Sequence, residues 1–431
     1  MALTRRAAIV ALCGALLVFV APLDGWMLLF VESALLLGIV FDLLMAGSVR
    51  SLQVSRYGDT ARRLDEPVSV GYLIVNRGAR PVRGVARDAW PPSAQAAPSR
   101  QRVLVPPGER RRFSTSLTPL QRKELSADRV TVRSVGPLGL AARQGAHTAS
   151  WRVRVLPAFP SRRRLPEKLA KLQLLDGRAA ARIRGQGTEF DSLRDYVEGD
   201  DARSIDWRAT ARRTNVVVRT WRPERDRRLL LVLDTGRTSA GRMGDGTSLD
   251  VAIDAALLLG ALAAKAGDRV SVLAADDRTR ALPVDTASDN AVPSLLRSMA
   301  GLQPRLVETD ARAMAAAVLR RAPHRSLVIL FSSLDEAVVH EGLLPVLPSL
   351  TARHLVVVAS VTDPVVADMA KRSADAREVY DAAAAAETLA STRRVSALLR
   401  RLGVEVVSAP PDEFAGAVAD HYLGLKAAGR L

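Results

Sequence analysis

Acidic, basic and aromatic side chains that could do chemistry are concentrated in residues 187–212. Asp200, Asp201 and Asp206 could bind a metal ion or serve as the acid and base of a hydrolase. No histidine or cysteine lies in this stretch, so a paired nucleophile and base are hard to build there. The candidate residues are Gly187, Glu189, Phe190, Asp191, Arg194, Tyr196, Gly199, Asp200, Asp201, Arg203, Asp206, Trp207 and Arg212.

The same stretch has a structural interpretation. Asp191, Asp200 and Asp206 are each followed within six residues by an arginine, namely Arg194, Arg203 and Arg212. Bidentate arginine–carboxylate pairs can fix an irregular loop against a neighbouring domain. Spacing alone does not separate the two interpretations, and we expect a structural or partner-binding role rather than chemistry.

The C-terminal half of the sequence contains a second acidic candidate for a functional site, Asp234. From residue 228 onward, apolar runs of strand length alternate with helical segments, beginning with Leu229–Leu233. Such runs predict a mostly parallel α/β sheet that is covered on both faces. Asp234 stands at the carboxyl end of the first strand, which is where α/β sheets bind ligands.

This arrangement resembles a von Willebrand factor A domain. In that family an Asp-x-Ser-x-Ser loop, a threonine from a second loop and an aspartate from a third bind Mg²⁺ through oxygen atoms. On this resemblance, Asp234 matches the leading aspartate, Thr238 the second hydroxyl and Thr309 the threonine. In the alternative interpretation, Asp234 and Thr238 cap the segment that follows them.

The candidate metal site departs from the family pattern at two positions. Gly236 replaces the first hydroxyl, and Ser332-Ser333 stands where the family has an aspartate, with Asp335 two residues further on. The resemblance therefore implies a degenerate metal-ion-dependent adhesion site. The sequence requires no cofactor, and the ion that such a site implies is Mg²⁺ or another divalent cation.

Residues 51–157 have a different pattern. Short runs with alternating apolar residues, such as Val68–Val75 and Arg129–Arg133, are separated by turns rich in Asn, Gly and Pro. This pattern predicts a small β-sandwich-like (immunoglobulin-like) module. It contains no catalytic constellation, so we expect an interaction or spacer module.

The first 50 residues are predominantly apolar. Ala7–Ala21 is uninterrupted, and Trp26–Met45 is broken only by Glu32, Ser33 and Asp42. A membrane span needs about 20 residues, or about 17 at the short end. We predict two transmembrane helices joined by a turn at residues 22–25. A cleaved signal peptide would not explain the second stretch, and nothing later in the sequence requires the other alternative, a buried helical hairpin of a soluble protein.

The flanking charges predict the orientation of this hairpin. Arg5, Arg6, Arg50 and Arg56 flank its outer ends, so the positive-inside rule places everything after residue 50 in the cytoplasm. Glu32 and Asp42 could pair with partner helices. Alternatively, Asp42 lies near the membrane interface and Glu32 within the hairpin.

Composition excludes several classes of protein. The chain has 431 residues, one cysteine, Cys13, and a formal net charge of +17. One cysteine excludes a disulfide framework and a cysteine-based zinc site within the chain. The charge is carried mostly by arginine, with no basic run interleaved with aromatics, so we expect no nucleic-acid partner. No small-molecule substrate can be named.

The whole layout resembles the "domain of unknown function 58" proteins. The residues that carry this resemblance are the paired apolar stretches, Asn76-Arg77, residues 134–140 (SVGPLGL), and the 187–212 motif followed by the strand that ends in Asp234. Members are bacterial, membrane-anchored proteins with a von Willebrand factor A-like domain. They are often encoded beside MoxR-type AAA+ ATPases and are thought to act as adaptors for them.

We therefore predict a multi-domain protein of the inner (plasma) membrane of a bacterium. Its parts are a transmembrane helical hairpin (1–50), a β-rich module (51–157), a linker with the signature motif (158–227) and a von Willebrand factor A-like α/β domain (228–431). The resemblance implies a non-enzymatic adaptor that helps an AAA+ ATPase assemble or remodel other proteins. The alternative is a metal-dependent hydrolase that uses acids of the 187–212 motif or the Asp234 loop.

Overall fold

The computed structural model describes residues 2–20, 25–64, 66–182, 189–197, 202–212, 215–222, 227–244, 246–284, 290–372 and 374–431. They form two compact units, Met1–Leu156 and Pro157–Leu431. The apolar N-terminus and the β-rich module lie in the first unit, and the signature motif and the α/β region lie in the second. Gly187, Gly199, Asp200 and Asp201 lie outside the described residues, so their roles stay predictions.

The first unit begins with helices and continues as a β-sandwich. A short strand, β1 (Ala2–Leu3), precedes α1 (Arg5–Val20) and α2 (Gly25–Met45), and a 3₁₀ turn follows at Val49–Ser51. The other strands are β2 (Leu52–Gly58), β3 (Ala61–Arg63), β4 (Val68–Asn76), β5 (Val82–Asp88), β6 (Arg100–Val105), β7 (Arg110–Leu117), β8 (Glu124–Val135) and β9 (Ala141–Leu156).

Within the described residues, one helical stretch, Leu29–Ser51, is long and apolar enough to cross a membrane. Only 11% of its apolar window is buried, which is unlike the core helix of a soluble domain. Helix α1 has 16 residues, fewer than the roughly 20 that a span needs. Residues 21–24, which contain most of the predicted turn, lie outside the described residues. The structure thus supplies one candidate span where the sequence predicts two.

Two sheets enclose the core of the β-rich module. One has the order β1-β9-β8-β5-β6, with β3 paired to β9, and the other has the order β2-β4-β7. Strand side chains alternate between two faces, and this alternation buries Val68, Val70, Tyr72 and Ile74 of β4 between the sheets. The predicted β-rich module is thereby confirmed.

The second unit contains more helices and strands. Its strands are β10 (Glu189–Asp195), β11 (Val217–Arg222), β12 (Arg228–Asp234), β13 (Arg242–Met243), β14 (Gly246–Thr247), β15 (Arg269–Ala275), β16 (Thr279–Leu282), β17 (Leu327–Phe331), β18 (Leu355–Val361) and β19 (Glu405–Ala409). Its helices are α3 (Leu165–Arg182), α4 (Trp207–Thr210), α5 (Ser248–Lys265), α6 (Ala291–Met299), α7 (Ala311–Arg321), α8 (Leu347–Thr351), α9 (Pro364–Met369), α10 (Ala376–Arg401) and α11 (Pro411–Ala427), with a π-helical turn at Val338–Leu343.

A six-stranded sheet organises the second unit, in the order β16-β15-β12-β17-β18-β19. Strand β12 pairs in parallel with both β15 and β17, and β18 and β19 continue the parallel set. Strand β16 is antiparallel, so the sheet is mixed, with five parallel strands and one antiparallel edge strand. Both faces are covered: alternate residues of β12 enter one apolar cluster with α5 and α11 and another with α7 and α8. The carboxyl ends of β12, β15 and β17 therefore share one edge of the sheet.

Candidate functional site

The Asp234 carboxylate lies at this edge and is almost completely buried. Its Oδ1 accepts hydrogen bonds from the Gly236 amide at 2.8 Å and from Thr309 Oγ1 at 2.6 Å. Its Oδ2 accepts one from Ser332 Oγ at 2.9 Å. The loops after β12 and β17 and the segment before α7 thus meet on one carboxylate, as a shared edge of parallel strands requires.

Gly236 makes this arrangement possible. A Cβ atom at position 236 would overlap Thr309 Oγ1 and lie 3.1 Å from Asp234 Oδ1. The hydroxyl that the von Willebrand pattern places at this position would therefore collide with the threonine. The glycine departure seen in the sequence is what lets Thr309 bind Asp234 directly.

The other predicted ligands are placed differently. Thr238 is half-buried and, with Asp234 and Ser332, lines a cavity of about 20 Å³, which is room for about one water molecule. Asp335 is exposed, and its backbone amide donates to Ser333 Oγ at 3.1 Å. The structure therefore brings Asp234, Thr309 and Thr238 to one place, whereas Asp335 does not line this cavity.

These residues do not fit the divalent-cation site that the resemblance implies. The cavity presents one carboxylate, and Ser332 occupies the place of the second. Within the described parts of the chain, no three His, Cys, Asp or Glu residues come together as a metal-binding group. Mg²⁺ holds its waters tightly and demands near-octahedral oxygen ligation. Hydroxyl and amide donors already occupy both oxygens of Asp234, so hydrogen bonds satisfy its charge.

A second buried carboxylate, Asp276, lies beside this site and was not predicted. It is completely buried at the end of β15 and accepts hydrogen bonds from Thr235 Oγ1 at 2.9 Å, Arg280 at 2.5 Å and Arg305 at 3.1 Å. Burial opposes ionisation of Asp276, but its hydrogen bonds, first with Asp277 and then with Thr235, outweigh burial and hold its pKa below the usual value. The available signal was the Asp276-Asp277 pair directly after an apolar strand.

The signature motif forms its own small hairpin. Strands β10 and β11 pair antiparallel, with a register shift between Phe190 and Ser192. Between them the chain makes a 3₁₀ turn at Ala202–Ser204 and the short helix α4. For Glu189, Phe190 and Asp191 the structure describes the backbone alone.

Asp206 holds this hairpin together. Its Oδ1 accepts the amides of Arg208 and Ala209 at 3.0 and 2.9 Å, which caps α4, and its Oδ2 accepts Arg219 Nε at 2.8 Å. The Ala209 amide first, and then Arg219, lower the pKa of Asp206. The predicted partner, Arg212, is therefore wrong: Asp206 pairs with an arginine on β11 that lies opposite it in space.

The other motif residues present a basic and aromatic surface. The described arginines Arg194, Arg203 and Arg212 are exposed, and Arg194 donates to the backbone oxygen of Asp195. Trp207 is 68% exposed and Tyr196 39% exposed. Exposed aromatic side chains among arginines are typical of protein-binding surfaces.

Asp42 corrects another prediction. It is completely buried, and its carboxylate accepts the backbone amides of Leu138, Leu140 and Ala141 at 2.7, 2.5 and 3.0 Å. These amides belong to the turn between β8 and β9. Asp42 therefore fastens the end of α2 to the β-rich module instead of pairing with a partner helix, whereas Glu32 is exposed on α2.

Comparisons with known proteins agree with the resemblance of the layout. Residues 192–398 match the family model described as "Protein of unknown function DUF58". Uncharacterised proteins of Mycobacterium bovis and Mycobacterium tuberculosis are 27% identical over 194 residues, which is 44% of this chain and 60% of each relative. The chain thus matches about 60% of the length of these curated relatives.

The similarity of this chain to solved structures is low. The crystal structure of the CARDB domain of PF1109 from Pyrococcus furiosus covers 24% of this chain and 91% of that one, with 15% identity and a TM-score of 0.18. A β-glucosidase from Listeria innocua covers 23% of this chain and 16% of its own, with 12% identity and a TM-score of 0.15. Over residues 192–398, just under half of its length, the chain is similar to the DUF58 family of proteins of unknown function.

Proposed function

We propose that this chain is a membrane-tethered, non-enzymatic adaptor that docks to a MoxR-type AAA+ ATPase and helps it assemble or remodel other proteins. The observation that carries this proposal is that donors of the chain itself bind both oxygens of Asp234. A carboxylate has about four acceptor positions, and three of those on Asp234 are filled by Gly236, Thr309 and Ser332. A catalytic base must have a substrate within hydrogen-bond reach.

The space around Asp234 supports the same conclusion. Its cavity of about 20 Å³ is far smaller than the roughly 300–1,000 Å³ of small-molecule sites. A mixed α/β sheet whose carboxyl edge is closed by its own side chains is better suited to presenting loops to a partner than to binding a substrate.

The signature hairpin is the docking surface that we propose. Trp207, Tyr196 and Val197 are exposed on it, and the described arginines of the same motif are also exposed. Tryptophan, tyrosine and arginine are the residues that contribute most to protein–protein affinity. The surface therefore favours a partner with an apolar pocket and an acidic rim.

The apolar helix supports the tether. The stretch Leu29–Ser51 is long enough to cross a bilayer and is mostly exposed within the first unit. The flanking arginines favour the cytoplasm for the residues that follow. We therefore place the adaptor in the inner membrane of a bacterium, with the residues after 50 in the cytoplasm.

A binding measurement with a matched variant tests the proposal. The full chain in lipid nanodiscs is titrated with the purified MoxR-type ATPase of its host bacterium. We expect saturable binding that Trp207→Ala weakens about tenfold or more, because truncating a central tryptophan removes about 2 kcal/mol or more of binding energy. Leu306→Ala is the control, since Leu306 is an exposed apolar side chain, 81% exposed, elsewhere in the same unit.

Two results would contradict the proposal. Absence of binding by the wild-type chain would show that the MoxR-type ATPase is not its partner. Equal weakening by Trp207→Ala and Leu306→Ala removes the signature hairpin as the docking surface.

A further inference from the structure

We propose that six arginines around the base of the apolar helices form a binding surface for the headgroups of anionic phospholipids. We call this set the arginine collar: Arg5, Arg6, Arg50, Arg77, Arg80 and Arg83. The inference rests on the membrane tether of the proposed function and states which class of lipid the tethered chain binds.

The contacts around α2 place these arginines at one end of the first unit. Arg6 lies over Gly139 in the β8–β9 turn, with its Nη1 3.0 Å from the position of a Cβ there. Arg50 belongs to the 3₁₀ turn that directly follows α2, and the Arg77 amide donates to Ser51 in that turn. The start of the apolar helices and the end of α2 therefore meet at the same base.

The β4–β5 turn completes the collar. The carbonyl of Pro81 lies directly against Gly47, just beyond α2, and leaves no room for a side chain there. Arg80 precedes this proline, and Arg83 follows it by two residues. Both arginines are exposed, so their guanidinium groups are available at the point where the apolar helix leaves the module.

The collar arginines differ in ion pairing from the arginines at the opposite end of the β8–β9 hairpin. There, ion pairs join Arg62 to Asp59, Arg63 to Glu66 and Arg154 to Glu124. None of the six collar arginines has an ion pair with a carboxylate in the described part of the first unit. The basic charge at the helix end is therefore left uncompensated.

Apolar side chains at the same end indicate what lies against it. Leu138, in the turn that Asp42 binds, is 50% exposed, and Leu3 is 66% exposed. Apolar side chains beside unpaired arginines suit the boundary between acyl chains and phosphate groups, where arginine binds phosphate in a bidentate manner. A nucleic acid would not explain the apolar side chains, so we favour the anionic lipid surface.

The test measures which lipids surround the full chain. The chain is reconstituted into phosphatidylcholine vesicles with and without phosphatidylglycerol, and flotation reports its attachment. Spin-labelled lipids then report the relative association constant of phosphatidylglycerol over phosphatidylcholine. We expect a ratio of about threefold or more at low salt, which falls towards one at high salt because surface charges are screened.

Matched variants locate the effect. Arg77→Gln with Arg80→Gln is expected to lower the ratio by about half or more, since each surface arginine contributes roughly fivefold to binding an anionic membrane. Arg62→Gln with Arg63→Gln removes the same charge from the opposite end and is expected to leave the ratio unchanged. A ratio of one for the wild type, or an equal loss in both double variants, would overturn the collar.

The remaining outcomes separate this inference from the tether. Attachment to vesicles without a preference for phosphatidylglycerol keeps the tether and overturns the collar. Attachment only to vesicles with phosphatidylglycerol supports the collar and overturns the tether, and absence from both overturns both. Loss of duplex DNA binding in Arg77→Gln with Arg80→Gln, with an unchanged lipid ratio, would assign the collar to nucleic acid instead.

Discussion

Asp42 in the first unit and Asp234 in the second are both buried carboxylates that accept three hydrogen bonds, but the donors differ in kind. Asp42 receives backbone amides from a single turn. Asp234 receives one amide from its own loop and two side-chain hydroxyls from other loops.

This difference separates two uses of a buried acid. Backbone amides stay in place whatever the side chains are, so the β8–β9 turn needs an acceptor at position 42. Hydroxyls can be exchanged by substitution, so the edge around Asp234 can be a metal site in one protein and a closed hydrogen-bonded site in another. Asp42 binds helix α2 to the β-sandwich, and Asp234 holds three loops together at the edge of the sheet.

The largest effect is expected for Asp42→Ala. It leaves three amides without their acceptor, of which that of Ala141 is buried, and a buried donor left unpaired costs about 1–3 kcal/mol. Chemical unfolding of the full chain in detergent micelles should show this loss in the free energy of unfolding of the first unit. Glu32→Gln, on the exposed side of the same helix, is the control and should unfold as the wild type does.

An unchanged unfolding midpoint for Asp42→Ala would show that the helix is not joined to the module through this carboxylate. Asp42 would then not be the structural carboxylate that we compare with Asp234.

A half-buried carboxylate, Asp254 of α5, sharpens the comparison because its side chain accepts hydrogen bonds from one residue. Ser161 donates its Oγ at 2.8 Å and its amide at 3.2 Å. Burial, only partly offset by these bonds, raises the pKa of Asp254 to about 6 from 3.8. A raised carboxyl pKa favours folding fully below the unfolded pKa, and this contribution disappears as the pH rises through about 6.

We therefore expect wild-type stability to fall by about 2.4 kcal/mol, relative to Asp254→Asn, between roughly pH 4 and pH 7. Denaturant unfolding of both chains across this range measures the difference. A difference that stays constant or grows in the opposite direction would contradict the assignment.

Gly236→Ala tests the closure around Asp234. The new methyl group would overlap Thr309 Oγ1, and overpacking a tight site costs about 1–3 kcal/mol. Adding Thr309→Ala should restore part of this loss, because it removes the atom that collides. Thermal unfolding of the single and double variants measures the coupling, and simple addition of the two effects would argue against the described contact.

The smallest effect is expected for Asp206→Ala in the signature hairpin. It removes the cap of α4 and the partner of Arg219, but α4 has only four residues and is exposed. We expect faster proteolysis within residues 202–212 and little change in global unfolding. Global unfolding at a much lower temperature would show that Asp206 stabilises the whole unit and not the hairpin alone.

Local pattern predicted much of the fold. The apolar run Leu229–Leu233 located β12, because these five residues are all buried in the sheet. Helix α10 escaped prediction, because Ala385, Val395 and Leu399 are its only residues described as buried. A helix with so little buried surface gives a weak periodic signal.

The sites were harder to predict, because their contacts join distant residues. Asp42 meets Leu138 across 96 positions, and Thr309 meets Asp234 across 75. The resemblance to a known family predicted that Asp234 and Thr309 lie together. The partner of Asp42 could be identified only from the folded structure. The pairing of Asp206 with Arg219 rather than Arg212 likewise depends on the antiparallel return of β11, which spacing along the chain does not reveal.

The most direct test of the account is a calorimetric titration of the full chain with Mg²⁺, beside Asp234→Ala. If hydrogen bonds close the edge around Asp234, the two chains should give the same heats, with no saturable binding through the low millimolar range. Saturable binding of one Mg²⁺ per wild-type chain, lost in Asp234→Ala, would contradict the account and return this edge to metal chemistry.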